Sequence, residues 1–344
     1  MKLWLTIALG ALALAGVSLA LGAALSAPSR GKRLAQALRI PHPAVIAHRG
    51  ASFYAPEGTR PAYLLAREMG ADYLELDLQR SRDGVLVVFH DDDLSRTTNV
   101  AEIFPGREQA PVGSFTFEEL QRLDAGSWFN RRFPKRARPA FGGLRILRLD
   151  EVLTIAEGED RRPGLYIETK SAHRYPEIER QLIETLAAQG WIDRAAAGPQ
   201  SRVILQSFEL DSLARLQALA PQVPRVFLID ETLIAREGWD LLFKKARAAA
   251  SGIGTWGLRH ALSPRWDRGA APVRYLTTWP WYTGQAHRAG LLVHSWTVND
   301  RWELLALHLF GVDGFFTDRP DLALAVCHRS PAPEPDRLWE KIGY

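Results

Sequence analysis

The sequence predicts an α/β chain folded as a TIM (β/α)8 barrel, with an insertion after the third strand and a hydrophobic helix ahead of the first. Three observations predict it. From Val45 onward, short strand-like runs alternate with helix-like ones, the pattern of a parallel sheet with helical crossovers. Eight such strands fit into ~280 residues, close to the ~250 typical of this barrel. Polar side chains able to do chemistry recur where the proposed strands end, on the rim where such barrels assemble active sites.

Ahead of the barrel, Leu3 to Leu25 carries no charge and is dominated by Leu, Ala and Gly. That run is long enough for a helix crossing a hydrocarbon core of ~30 Å. Residues 1–26 therefore read as a signal peptide or a transmembrane anchor. The run exceeds the roughly 7–15 apolar residues of a secretory signal, which favours the anchor, yet Ala24-Leu25-Ser26 is an acceptable cleavage site. Only Lys2 precedes the run while Arg30, Lys32 and Arg33 follow it, which by the positive-inside rule points to a cytoplasmic body. Cysteine usage points the other way. A lone thiol, Cys327, excludes an internal disulfide and a cysteine zinc site, and it fits an exported chain. The expectation is a membrane-anchored or exported protein, with the periplasmic or extracellular side preferred to the cytoplasmic one. Residues 27–43, polar, basic and bracketed by prolines, read as a linker with one short helix.

The barrel is expected over residues 44–328. Its strand candidates are Val45–His48, Tyr73–Gln79, Val85–His90, Leu165–Lys170, Val203–Ser207, Arg225–Ile229, Leu292–Val298 and Gly314–Thr317. Amphipathic stretches between them include Pro61–Met69, Glu177–Gln189 and Leu210–Leu219. Between 225 and 290 the assignment is loose: Tyr275–Thr278 competes as a ninth strand, and the Trp256 region is another contributor. The interval from Asp91 to Leu165 is too long for one loop and helix, so residues 99–145 are assigned to an insertion over the barrel mouth. Residues 329–344, with their Pro-Ala-Pro-Glu-Pro run, read as a poorly ordered tail.

A chain with 47% hydrophobic and 24% charged residues is globular rather than disordered. The net charge of +4 is modest, and the basic clusters Arg30-Lys32-Arg33 and Arg131-Arg132-Lys135-Arg136 accompany no nucleic-acid-binding motif. They read as solvated surface, and no nucleic-acid partner is expected.

The chemistry concentrates at strand ends. His48 and Arg49 close the first strand, Glu75 and Asp77 the second, His90 the third, Glu168 and Lys170 the fourth, and Gln206 sits late in the fifth. Residues two apart on a strand share a face, so Glu75 points with Asp77 and Glu168 with Lys170. Three carboxylates turned into a barrel repel one another and persist most easily around a cation, unless they lie on a solvated edge. Oxygen ligands favour Mg²⁺, Ca²⁺ or Mn²⁺ over zinc. The other histidines, His294 among them, read as structural or exposed.

Seven motifs in order then resemble the glycerophosphodiester phosphodiesterase family, a branch of the phospholipase C-like phosphodiesterase barrels. They are Ala47-His48-Arg49-Gly50-Ala51 with Ala55-Pro56-Glu57-Gly58-Thr59, Glu75-Leu76-Asp77, and Val88-Phe89-His90-Asp91-Asp92 with Leu94-Ser95-Arg96-Thr97-Thr98-Asn99. Ile167-Glu168-Thr169-Lys170, Gln206-Ser207-Phe208, Trp296-Thr297-Val298-Asn299 and Gly314-Phe315-Phe316-Thr317-Asp318-Arg319-Pro320 follow. The resemblance spans about residues 44–326. Two departures stand out: Gly58 replaces the family's asparagine, and Leu147-Arg148-Leu149 stands where Pro-Thr-Leu is expected.

The resemblance implies metal-dependent hydrolysis of glycerophosphodiesters to glycerol 3-phosphate and an alcohol. Glu75, Asp77 and Glu168 would hold one divalent cation, Ca²⁺ or Mg²⁺ with Mn²⁺ also allowed. Arg49 and Lys170 would bind the phosphate, and His48 and His90 would be the acid–base pair, with their individual roles open. Glu57 is expected to support Arg49 or a histidine. Gln206 is a further supporting residue. Trp296 is open to two readings, contact with the substrate's glycerol carbons or core packing. Trp279, Trp281 and Tyr282 read as an apolar wall, a membrane-facing patch or simple packing. Two rivals stand beside this reading: a lysophospholipase D or sphingomyelinase D-like enzyme acting on membrane lysolipids, and a non-catalytic, membrane-anchored phosphate-binding barrel. The intact histidines favour an enzyme.

Overall fold

A computed structural model of the protein describes residues 30–192, 200–261, 277–329 and 335–344. The apolar run from residue 3 to 25 lies outside them, and no helix among the described residues is long and apolar enough to cross a membrane. Residues 30–37 form the short helix expected in the linker.

Eight parallel strands close into a barrel. They are β1 (Ala44–Ala47), β2 (Tyr73–Arg80), β4 (Gly164–Thr169), β5 (Val203–Ser207), β6 (Arg225–Leu228), β7 (Gly252–Trp256), β8 (Leu292–Trp296) and β9 (Gly314–Thr317). Each pairs with the next, and β1 closes the ring by pairing with both β2 and β9. The remaining strand, β3 (Leu86–Val88), is not a stave. It runs antiparallel to β2, with Leu78 opposite Val88.

Two sequence expectations are corrected here. Val85–His90 belongs to a hairpin whose turn is signalled by Asp83-Gly84, with Gly84 at φ 89°, where a side chain is strained. Its place among the staves is taken by Gly252–Trp256, whose glycines dilute the hydrophobic signal. A Cβ on Gly254 would lie 2.5 Å from the Leu228 side chain, so the strand needs glycine where it passes β6. Of the rival candidate Tyr275–Thr278, residues 275–276 lie outside the described residues and 277–278 form a turn.

Strand parity sorts the side chains into layers. Leu74, Leu76, Ile167, Leu205 and Phe315 face the helices and join the large outer core. Ile46, Tyr73, Tyr166, Ile204, Val226, Leu292 and Phe316 face inward and fill the barrel floor. Each such side chain contributes about 1.5–3 kcal/mol by leaving water. The same inward parity, two residues further along, leads from Ile46 to His48, from Tyr73 to Glu75 and Asp77, from Tyr166 to Glu168, and from Ile204 to Gln206. An apolar floor therefore carries a polar upper layer. His294, also inward, bonds the Tyr166 hydroxyl at 2.9 Å. Burial lowers its pKa to about 4, so it stays neutral and structural.

The segment between β3 and β4 carries the expected insertion. Its short helices include Val100–Ile103, Phe117–Leu120 and Ser127–Arg132. Part of it folds around a small core of its own, with Leu94, Val112, Phe115 and Leu123.

The expected poorly ordered tail is also corrected. Pro335–Ile342 is a helix that packs on the helix Arg60–Met69. Its Trp339 is 4% exposed and meets Phe141 of the insertion at 5.6 Å, beneath the Arg138 guanidinium. Lys341 also bonds Glu68 at 2.6 Å. An eight-residue helix is marginal alone, so this long-range packing holds it. Trp339→Ala is expected to lower the free energy of unfolding by about 3–5 kcal/mol. Denaturant unfolding checks this; an unchanged midpoint would mean that the helix is detached from the cooperative unit.

Candidate active site

Register builds the acidic cluster. Asp77 lies opposite Glu168 across β2 and β4, and Glu168 lies opposite Gln206 across β4 and β5. Glu75 sits two residues below Asp77 on the same face. The three carboxylates are all buried, and one oxygen from each lies within 4.8 Å of the others. Gln206 donates to Glu75 Oε1 at 3.1 Å, which leaves the buried Gln206 Oε1 without a partner. A hard divalent cation fits this donor set: oxygen ligands only, excess negative charge, and an orphaned carbonyl beside it.

The charges respond to crowding. Burial first, and then the Asp77 charge, raises the Glu75 carboxyl well above its ordinary range. Burial also lifts Glu168 to about 7 against the pull of Lys170. Asp77 is pushed up by burial too, but His90, Lys170 and Arg49 outweigh it and hold its carboxyl well below the usual range.

Two cations flank the cluster. Lys170 Nζ lies 3.2 Å from Glu168 and 3.7 Å from Asp77. Burial works against its charge, but these carboxylates more than compensate and raise its pKa, so it remains an ammonium. Arg49 donates to Glu57 at 2.7 Å, lies 3.4 Å from Asp77, and gives its backbone N–H to Glu75 at 2.8 Å. It sits at φ 54°, a strained setting for arginine that these contacts hold in place. Gly50 follows at φ 86°, where a Cβ would come within 2.6 Å of the Ala62 carbonyl carbon.

Each histidine has a carboxylate behind it. His48 Nδ1 pairs with Asp318 at 2.8 Å. Asn299 fixes that carboxylate, donating to it at 2.6 Å and accepting the Asp318 N–H at 2.8 Å. His90 Nδ1 pairs with Asp91 at 2.6 Å, and its Nε2 lies 3.1 Å from Lys170. An ammonium only donates, so His90 Nε2 accepts there and its proton sits on Nδ1. Burial lowers the His90 pKa, opposed by Asp77 and Asp91 and aided by the Arg49 and Lys170 charges. Arg96 binds Asp91 and also Glu57 at 2.6 Å, linking the support of His90 to that of Arg49.

These groups surround one cavity of about 200 Å³. Both histidines, Arg49, Lys170, the three carboxylates, Gln206 and Trp296 line it. Glu57 lies behind it as the partner of Arg49. Trp296 lines the cavity and packs edge-on against Phe208 and Trp256, each at 6.2 Å. Trp279 and Trp281 are exposed, Tyr282 packs on Trp239, and none of the three lines this cavity.

Sequence reasoning gave no role to Asp318, Asp91, Arg96 or Asn299. The signal was present, since each lies within a quoted motif and Asp318 directly follows the last strand. The two departures are benign in the fold. Gly58 adopts φ 68°, a conformation asparagine also tolerates, and a Cβ there meets nothing within 4 Å. Arg148 precedes the helix Leu149–Ala156, whose Glu151 accepts the Arg148 N–H at 2.9 Å.

A TIM barrel with two carboxylate-backed histidines and, on its rim, a carboxylate cluster able to hold a divalent cation has the equipment of a metal-dependent hydrolase. Residues 48–322 match the model of the glycerophosphoryl diester phosphodiesterase family. The glycerophosphodiester phosphodiesterase of Bacillus subtilis strain 168 is 36% identical over 277 residues, covering 80% of this chain and 84% of the relative. An Oleispira antarctica phosphodiesterase, solved with the product sn-glycerol-3-phosphate, superposes with a TM-score of 0.62. It is 25% identical over 83% of this chain and 97% of that one. The glycerophosphodiester phosphodiesterase of Agrobacterium tumefaciens strain C58 gives a TM-score of 0.55 at 28% identity, covering 82% and 99%. The chain belongs to the glycerophosphoryl diester phosphodiesterase family and is an enzyme, a phosphoric diester hydrolase.

Proposed function

We propose that the rim residues divide the work of metal-dependent glycerophosphodiester hydrolysis, which yields glycerol 3-phosphate and an alcohol. The convergence of two histidines, two cations and three carboxylates on one cavity carries this assignment. Glu75, Asp77 and Glu168 hold the cation, Ca²⁺ or Mg²⁺ by ligand type, with Mn²⁺ also compatible. A divalent cation held there would supply positive charge at the phosphate. Arg49 offers its planar fork, and Lys170 a point charge, to the same phosphate. Glu57, Gln206 and Trp296 support this set.

His90, with its unprotonated Nε2 beside Lys170 at the cavity wall, takes the proton from the attacking hydroxyl. That hydroxyl is the free one on the glycerol, so the first product is a cyclic phosphate and the released alcohol. His48, its Nδ1 held by Asp318, gives the proton to the departing alcohol oxygen. Water then opens the ring with the two imidazoles exchanging roles. The uncharged apolar run of residues 3–25 supports membrane anchoring or export, with the barrel on the outer side.

The test is release of glycerol 3-phosphate from glycerophosphocholine by the purified full chain, with Ca²⁺, Mg²⁺ or EDTA. Release that requires a divalent ion and stops in EDTA is expected. Equal turnover in EDTA would overturn the cation site, and no turnover with any ion would overturn the reaction.

A further inference from the structure

We propose that a second cleft beside the catalytic cavity is a leaving-group subsite, selecting glycerophosphodiesters whose departing alcohol carries a second phosphate. The cleft measures about 640 Å³. It shares His48 and Arg49 with the catalytic cavity but includes neither His90 nor the carboxylate cluster. An alcohol protonated by His48 therefore departs on this side. The far wall comes from the insertion, through Trp128, Arg131, Arg132 and Phe133.

The charges of that wall are what carry the inference. The carboxylates in the cleft are already engaged: Glu57 by Arg49 and Arg96, Asp318 by His48, Ser52 and Asn299. Arg96 is likewise bound to Glu57 and Asp91. Arg131 and Arg132 differ. Both are exposed and among the described residues neither has an ion-pair partner; Arg132 only lies over the Phe133 ring, 5.9 Å from its centre. The sequence reading as solvated surface accounts for their exposure but not for their place in the cleft. The wall beneath them is firm, because Phe129 is fully buried between Phe133 at 4.9 Å and Phe141 at 5.7 Å, and Trp128 donates to the Ala125 carbonyl at 3.0 Å. Two unpaired guanidiniums on a fixed wall suit a phosphate, which takes their planar, bidentate hydrogen bonds.

This inference rests on the proposed reaction, and the test separates the two. Matched substrate pairs differ by one phosphate on the leaving side. One pair is glycerophosphoinositol and its inositol 4-phosphate form; the other is glycerophosphoglycerol with and without a further glycerol phosphate unit. Full-chain enzyme is expected to prefer the more anionic member of at least one pair by about 10-fold in kcat/KM, less at high ionic strength. The pair that shows it tells a phosphorylated polyol from a glycerol phosphate chain. R131A/R132A should abolish the preference while leaving glycerophosphoinositol turnover within about twofold, and R131K/R132K should keep part of it. Equal turnover within both pairs, or an equal loss on both members in R131A/R132A, would overturn the subsite. Calorimetric binding of free inositol 4-phosphate against inositol reads the subsite without turnover. Tighter binding lost in R131A/R132A supports it, and identical binding of the two ligands refutes it, even if hydrolysis itself fails.

Discussion

His48→Ala is expected to lower kcat for glycerophosphocholine by about 10²–10⁴-fold, the usual loss for a missing general acid or base. KM should change little, since phosphate binding rests on Arg49, Lys170 and the cation. Steady-state kinetics at saturating metal check the split. Asp318→Asn provides the companion measurement. It keeps a side chain of the same shape beside His48 Nδ1, 2.8 Å away, but replaces a charged acceptor with a neutral amide. Its kcat should fall less than that of His48→Ala, with a displaced pH profile. A KM increase with kcat preserved in either variant would assign His48 to substrate binding instead.

Asp77→Asn is the second large effect, and metal binding reads it most directly. Asp77 is the carboxylate of the cluster that its surroundings keep ionised, and it also balances Arg49 and Lys170. Its loss removes a ligand and leaves two cations facing the site, so metal-dependent activity should drop about 10³-fold. Calorimetry on the same variant should show strongly weakened Ca²⁺ or Mg²⁺ binding. In the unaltered protein the affinity should depend on pH. Glu168, held near pKa 7 by burial, is protonated below that value, and a proton there competes with a cation. Binding should therefore tighten as pH rises from about 6 to 8, releasing protons as it does. Tight metal binding by Asp77→Asn would remove this residue from the ligand set.

Much of the site was legible because strand parity is local. Tyr-Leu-Glu-Leu-Asp-Leu alternates so cleanly that Glu75 and Asp77 had to share the inward face, and Glu168 with Lys170 obeys the same rule. What escaped the sequence depends on distant partners. Asp318 gains meaning only where it meets His48, across 270 residues of chain, and Asn299 only through Asp318. Gly252–Trp256 lacks the hydrophobic density of a buried strand because its neighbours need room, and β3 mimics a stave until its antiparallel register is seen. Trp339 reads as part of a proline-flanked tail, and nothing nearby announces Phe141 as its partner. Arg131 and Arg132 look like any exposed basic pair until the insertion turns them toward the mouth.

The ring of staves has a seam, where the first strand meets the last. β1 joins β9 there, Ala47 beside Thr317, and the His48 N–H reaches the Thr317 carbonyl at 3.0 Å. The three clustered carboxylates lie elsewhere, on the adjoining strands β2 and β4. The acidic cluster is thus drawn from the first half of the chain, whereas the carboxylate that aims His48 comes from residue 318. Closure of the barrel is therefore itself a catalytic requirement: only the joining of the first and last staves brings both parts of the site to one cavity.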